Sequence, residues 1–302
     1  MTDPAVVTPQ QLDDNWTVTG LLDEIAAAEP SYHALIDTGA LVTGFTNFEV
    51  AKYLLTHGLK SMEGVVFLDS EDRQMILLRT GMKVMQLNQC GLPWGKRFSF
   101  YDQVHTTGMD IKQVLNAQAI CTLGKDMTFR DYAQGTFRMR GIGQGQTIRL
   151  FIVPEIQRLI LTQVGAGLGI SRQQVQEQLD ALTPADRDAQ MIKHVCAWLF
   201  INGMKSEKTQ FNLLMEQSVS NVWRKASYRH LMQNFAEVGT KSCTAFTNHC
   251  LDVYRERVDF DVENSIRKCF SIRILLVDCG ADCHWAVCTQ LLRNLSRTRF
   301  ST

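Results

Sequence analysis

Residues 101 to 111, YDQVHTTGMDI, place an acid, an amide, an imidazole, two hydroxyls and a glycine directly behind the apolar run Phe98–Tyr101. Asp102 and His105 are the residue types of an acid/base pair. A carboxylate can orient an imidazole, and an imidazole can lower the pKa of a thiol and accept its proton. Cys90 is the only cysteine between His33 and His105, and a reversal through Gly91, Pro93 and Gly95 would bring Phe98–Asp102 back towards it. In an apolar setting the same thiol would be inert. Three uses therefore stand open for Asp102 and His105: contact with a nucleotide or coupling of lobes, plain hydrogen bonding at a strand end, or thiol chemistry on Cys90. Other thiol–imidazole pairs are Cys243 or Cys250 with His249. Cys279, Cys283, His284 and Cys288 have a loose C-x3-C-H-x3-C spacing, so no metal site is expected.

The second chemical stretch is Thr128–Gln146, TFRDYAQGTFRMRGIGQGQ. On a helix, Phe129, Ala133 and Phe137 share a stripe that can bury against a sheet, and Arg130, Gln134 and Arg138 lie on the polar stripe beside it. Arg138 and Arg140 arrive where the helix gives way to Gly141, Gly143 and Gly145. Two arginines there either complement the helix dipole ahead of a glycine turn or present planar, permanently charged forks to phosphate oxygens. The stripes predict that Arg138→Ala changes stability by no more than about 0.5 kcal/mol. Phe137→Ala is predicted to cost on the order of 3 kcal/mol.

The elements that position these residues follow from pattern. His33–Val42, Gly64–Asp69, Phe98–Asp102, Ala117–Leu123 and Gln146–Val153 read as strands, and Gln74–Leu78 with Lys83–Leu87 reads as a hairpin around Thr80–Gly81. Thr46–Glu49 is a capping box whose helix Gly58 can close, and another helix starts near Thr128. This alternation predicts an α/β layer over 31–156, preceded by an N-terminal flank at 1–30. Beyond Pro154 the period becomes helical. Ile192, Val195, Cys196, Leu199 and Phe200 form one stripe, and Phe211, Leu214, Met215, Val219, Val222 and Ala226 another. Ser171–Gln174 and Thr183–Pro184 mark helix starts. A helical domain is expected over 157–235 and an irregular, cysteine-rich segment over 236–302.

With 302 residues and 45% hydrophobic composition the chain can bury a sizeable core. Its 31 basic side chains balance its 31 acidic ones, so no net field draws it to nucleic acid or anionic membrane. The N-terminus has neither a basic stretch nor an apolar one, and no apolar run approaches the roughly 18 residues of a membrane span. Nine cysteines, sparse before residue 240, fit reduced thiols. A cytoplasmic or nuclear protein is expected.

The order strand, T-T-G-x-D, strand, helix with Q-x-x-x-R-x-R, G-x-G, strand is similar to motifs V and VI of the second RecA-like lobe of superfamily 2 helicases. It also resembles the matching lobe of the bacterial preprotein-translocase motor. The resemblance implies a RecA-like lobe followed by an α-helical domain. It gives nucleotide and lobe-coupling roles to Thr106, Thr107, Gly108, Asp110, Gln134, Arg138 and Arg140. The helicase pattern spaces its arginines three apart, whereas Arg138 and Arg140 are two apart. ALIDTGALVTGFTNFEVAKYLL, VVFLDSEDR, FYDQVHTTGMDIKQ, TLGKDMTFRDYAQGTFRMRGIGQGQTI and LFIVPE, spanning Ala34 to Glu155, resemble a family of very large eukaryotic proteins often labelled ubiquitinyl hydrolases. That resemblance implies thiol-dependent removal of ubiquitin from conjugates. Members also carry an upstream G-x-G-K-S/T phosphate loop. The nearest approach here, Gly91–Arg97, has the wrong spacing and ends in arginine. No cofactor is therefore expected in the isolated chain, and ATP with magnesium would need a first RecA-like lobe. The alternative to a hydrolase is a non-catalytic interaction module or partner lobe of a nucleoside-triphosphate motor.

Overall fold

The computed structural model describes residues 2–106 and 108–238. Its strands are β1 (Val7–Gln11), β2 (Ala34–Ile36), β3 (Gly64–Leu68), β4 (Gln74–Leu78), β5 (Val84–Gln86), β6 (Arg97–Tyr101), β7 (Gln118–Thr122) and β8 (Thr147–Ile152). Its α-helices are α1 (Val18–Ala27), α2 (Asn47–His57), α3 (Phe129–Thr136), α4 (Pro154–Leu168), α5 (Arg172–Asp180) and α6 (Pro184–Val238). The strands form one 8-stranded sheet in the order β1-β8-β7-β2-β6-β3-β4-β5. From β1 to β3 all neighbours are parallel, and β4 and β5 add antiparallel strands at the far edge. The fold is thus mixed α/β with a mostly parallel sheet.

Central strands of such a sheet are covered on both faces and need apolar residues at every position, not alternation. β2 (ALI) and β3 (GVVFL) meet this need, being buried throughout. The helices start where side chains can satisfy their free N–H groups. Thr46 with Glu49, Thr128 with Asp131 and Ser171 with Gln174 form complete capping boxes. α2 packs through Val50, Ala51, Leu54 and Leu55 and ends under Arg79. That guanidinium donates to the carbonyls of Leu55 (2.6 Å), Gly58 (2.8 Å), Leu59 (2.8 Å) and Met62 (3.0 Å). Orphaned helix-end carbonyls are thereby satisfied.

Three boundaries differ from the sequence reading. The segment 1–30 is not a flank, since β1 pairs along its length with β8 and Leu21, Leu22 and Ile25 of α1 are buried in the core. Its few apolar residues fell below the strand signal because an edge strand needs only one covered face. The strand expected over His33–Val42 stops at Ile36, where Asp37 draws the following backbone into a turn. The helices after Pro154 do not begin a separate core. Ile156, Ile160, Val164, Val175, Ile192, Val195 and Leu199 join the same buried cluster as the strands. One compact unit runs to Gly203 and a second begins at Met204. Phe211 and Leu214 of the second unit are exposed and Met215 is half-buried. Helical period defines a face; it does not supply the partner that covers it. The side chains of Val219, Val222 and Ala226, and the whole segment after residue 238, lie outside the described residues.

Candidate functional site

In an open parallel sheet, adjacent strands whose connections leave in opposite directions leave a crevice beyond their carboxyl ends. β2 continues through α2 towards β3, and its neighbour β7 continues through α3 towards β8. A cleft of about 500 Å³ occupies this switch point, lined by Thr38, Gly39, Gln103, Thr106, Gly124, Lys125, Asp126, Met127, Asp131 and Gln134.

Asp37, buried next to the lining residues Thr38 and Gly39, ties their loop to Thr122. One carboxylate oxygen accepts from the Leu41 amide (3.0 Å) and the Thr122 hydroxyl (2.6 Å), and the other accepts from the Val42 amide (2.9 Å). Burial pushes this carboxyl above its ordinary pKa, the three hydrogen bonds pull it down, and the net direction is up. The Gly39 amide donates to Thr122 Oγ (2.9 Å) and the Thr38 hydroxyl donates to the Thr122 carbonyl (2.7 Å). The two loops meet backbone to backbone, because a Cβ on Gly39 would lie 2.5 Å from the Leu123 carbonyl carbon.

α3 forms the outer wall, and it is rotated from the sequence expectation. Tyr132, Gly135 and Thr136 are its buried residues, and a Cβ on Gly135 would stand 2.1 Å from the Thr38 methyl. The helix ends at Thr136, so Phe137 leaves the stripe as a cap and is 51% exposed. Phe129 stacks instead on Phe200 of α6, with ring centroids 4.4 Å apart. The expected roles of Phe137 and Arg138 are thus exchanged, for Arg138 is only 9% exposed.

Beside the cleft lies an ion cluster. Arg138 Nη1 donates to the Met109 carbonyl (2.7 Å) and to Asp110 Oδ1 (2.9 Å), and its Nε donates to the Gln134 carbonyl (3.4 Å). Arg140 reaches both oxygens of the same carboxylate, at 2.8 Å from Nη2 to Oδ1 and 3.1 Å from Nε to Oδ2. The Gln74 amide holds the Asp110 carbonyl at 3.1 Å. The structure therefore brings together Asp110, Gln134, Arg138 and Arg140, and it sets Thr106 on the cleft wall with its hydroxyl on the Gln103 carbonyl (2.8 Å). Gly108 holds φ +85°, a left-handed conformation that suits glycine. Thr107 lies outside the described residues.

Asp102 and His105 are joined. His105 Nδ1 lies 2.5 Å from Asp102 Oδ1 and Nε2 lies 2.8 Å from Asp72 Oδ1. Cys90 is placed elsewhere. Its carbonyl accepts from Arg97 (3.1 Å) at the amino end of β6, whereas His105 follows the carboxyl end. A strand of five residues, on the order of 16 Å long, lies between these anchor points. With both ring nitrogens on carboxylates, His105 has none left to take a thiol proton. Of the other described thiols, burial pushes Cys121 up to about 12 and Cys196 up to about 11. Among the described residues no group of three or more His, Cys, Asp or Glu could hold a metal ion, and no helix is long and apolar enough to cross a membrane. The candidates at Cys243, His249, Cys250, Cys279, Cys283, His284 and Cys288 lie outside the described residues.

Sequence reasoning passed over Asp37, Thr38, Gly39, Gly124 and Lys125. Their signal was present: D-T-G and L-G-K-D each follow directly on an apolar strand, where such sheets form their sites. No protein-family model matches the chain, and comparison with curated proteins and with solved structures returns no match.

Proposed function

We propose that this chain is the second, RecA-like lobe of a nucleoside-triphosphate-driven protein, which offers the carboxyl edge of its sheet to a nucleotide bound by a first lobe. The observation that carries the reading is the ion cluster at that edge. The carboxylate of the T-T-G-x-D loop and both arginines of the Q-x-x-x-R-x-R helix end meet in one place, beside a cleft walled by Thr106 and Gln134. Arg138, nearly buried, positions the loop. Arg140, whose side chain is 56% exposed, is the group that reaches phosphate. A guanidinium held bidentately by a carboxylate is already in the geometry that a phosphate would accept. ATP and magnesium enter with the first lobe, since no phosphate loop is present in this sequence.

Thiol hydrolysis of ubiquitin conjugates rests on the block resemblance alone and draws no support from the described cysteines. The nucleotide reading is therefore preferred. Calorimetry with magnesium ATP tests it, using the wild type, Asp110→Asn and Arg140→Ala. The wild type should bind weakly and show no turnover. Removing the competing charge in Asp110→Asn should tighten binding by about tenfold, equivalent to about 1.4 kcal/mol. Arg140→Ala should abolish binding. Equal affinity in all three proteins, or turnover by the wild type, would overturn the reading.

A further inference from the structure

His105 stands between two carboxylates on separate segments. Asp102 directly follows β6, and Asp72 lies in the turn from β3 to β4, where it holds φ +58°. A carboxylate can only accept, so a contact on each ring nitrogen requires an N–H on each, and imidazole carries two N–H groups only as the cation. We propose that His105 is a protonation-dependent clip, joining the β3–β4 turn to the turn Gln103–Thr106 as imidazolium and releasing it when the ring becomes neutral. The inference does not depend on what the cleft binds.

The surroundings fix which contact yields. On the turn, Asp69 accepts from the Glu71 and Arg73 amides, and Arg73 pairs with Asp69 and Glu71 at 2.8 Å. Those charges are engaged with one another, and Asp72 alone of the turn's acids reaches the ring. On the β6 side the ring meets Asp102, whose charge in turn raises the pKa of the buried Asp37. The His105 side chain is 12% exposed and Asp102 23%, whereas Asp72 is 76% exposed. A neutral ring keeps its Nδ1–H on the sheltered Asp102. It then turns a lone pair towards Asp72, and water takes over that carboxylate. The Gln74–Asp110 bond also links the hairpin to the loop after β6, so release at Asp72 loosens one attachment beside the cleft.

Burial alone would lower the His105 pKa, but the bonds to Asp72 and Asp102 outweigh it and the net direction is up. A histidine raised above its unfolded value stabilises fully below that value, about 6.5, and the stabilisation fades as pH rises through the folded pKa. The clip is therefore closed in mild acid and opens on the alkaline side of an ordinary histidine.

The test is an NMR titration that follows the His105 ring and the amides of Glu71, Asp72 and Arg73 in the wild type, Asp72→Asn and His105→Gln. The wild-type ring should titrate above about 6.5, with the turn amides shifting at the same midpoint. In Asp72→Asn the midpoint should fall and the turn amides should stop following it; in His105→Gln they should be flat across the range. A wild-type midpoint at or below the ordinary value would overturn the proposal. So would a midpoint unchanged in Asp72→Asn, or turn amides that still titrate in His105→Gln.

Discussion

Arg79 and the pair Arg138/Arg140 use the same guanidinium chemistry for different ends. Arg79 spreads its donors over four backbone carbonyls at the end of α2, acceptors that cannot leave without unwinding the chain. Arg138 and Arg140 share one side-chain carboxylate that is 52% exposed; Arg138 also donates to the Met109 and Gln134 carbonyls, so Arg140 makes the sharper contrast. A carbonyl ring is a fixture, whereas a half-exposed carboxylate can be exchanged for another oxyanion. The partner, more than the arginine, separates the structural region from the one proposed to meet phosphate.

Stability measurements distinguish the two sets of contacts. Arg79→Ala should cost the most, about 3 kcal/mol or more, because several partly buried carbonyls lose charged donors. Arg79→Lys should recover little, since an ammonium cannot span the same fork. Arg138→Ala should follow at about 2 kcal/mol, through loss of the Met109 and Asp110 contacts at a nearly buried site. Arg140→Ala, a surface pair open to solvent, should change stability by less than about 1 kcal/mol while removing the proposed phosphate contact. Phe137→Ala should be smallest, within about 0.5 kcal/mol. Chemical denaturation of the five variants checks the order. Arg140→Ala as damaging as Arg79→Ala would make the whole cluster structural.

Much of the α/β layer was legible because its signals are local. Thr46–Glu49, Thr128 and Ser171–Gln174 announce helices through capping chemistry, and GVVFL announces a covered strand. The exchange of Phe137 and Arg138 was not legible, since one missing turn of helix rotates the stripe and only the Gly135–Thr38 contact shows where α3 sits. The union of Asp110 with Arg138 and Arg140 could be expected only through family likeness, because about 30 residues and a strand separate them and loop closure leaves no periodic trace. Asp72 was invisible as a His105 partner for the same reason. β1 was missed because VTPQQ, an edge strand containing proline, lacks the β-branched alternation of a strand.

The carboxyl edge bearing Asp110 and Arg140 is proposed to meet a nucleotide. The most direct measurement is amide shift mapping of the labelled chain against magnesium ATP up to millimolar concentration. Saturable shifts should gather at Thr106, Gly108, Asp110, Gln134 and Arg140, with the amino ends of β2, β6 and β7 unmoved. No shifts at these amides, or shifts confined to the opposite edge of the sheet, would contradict the account.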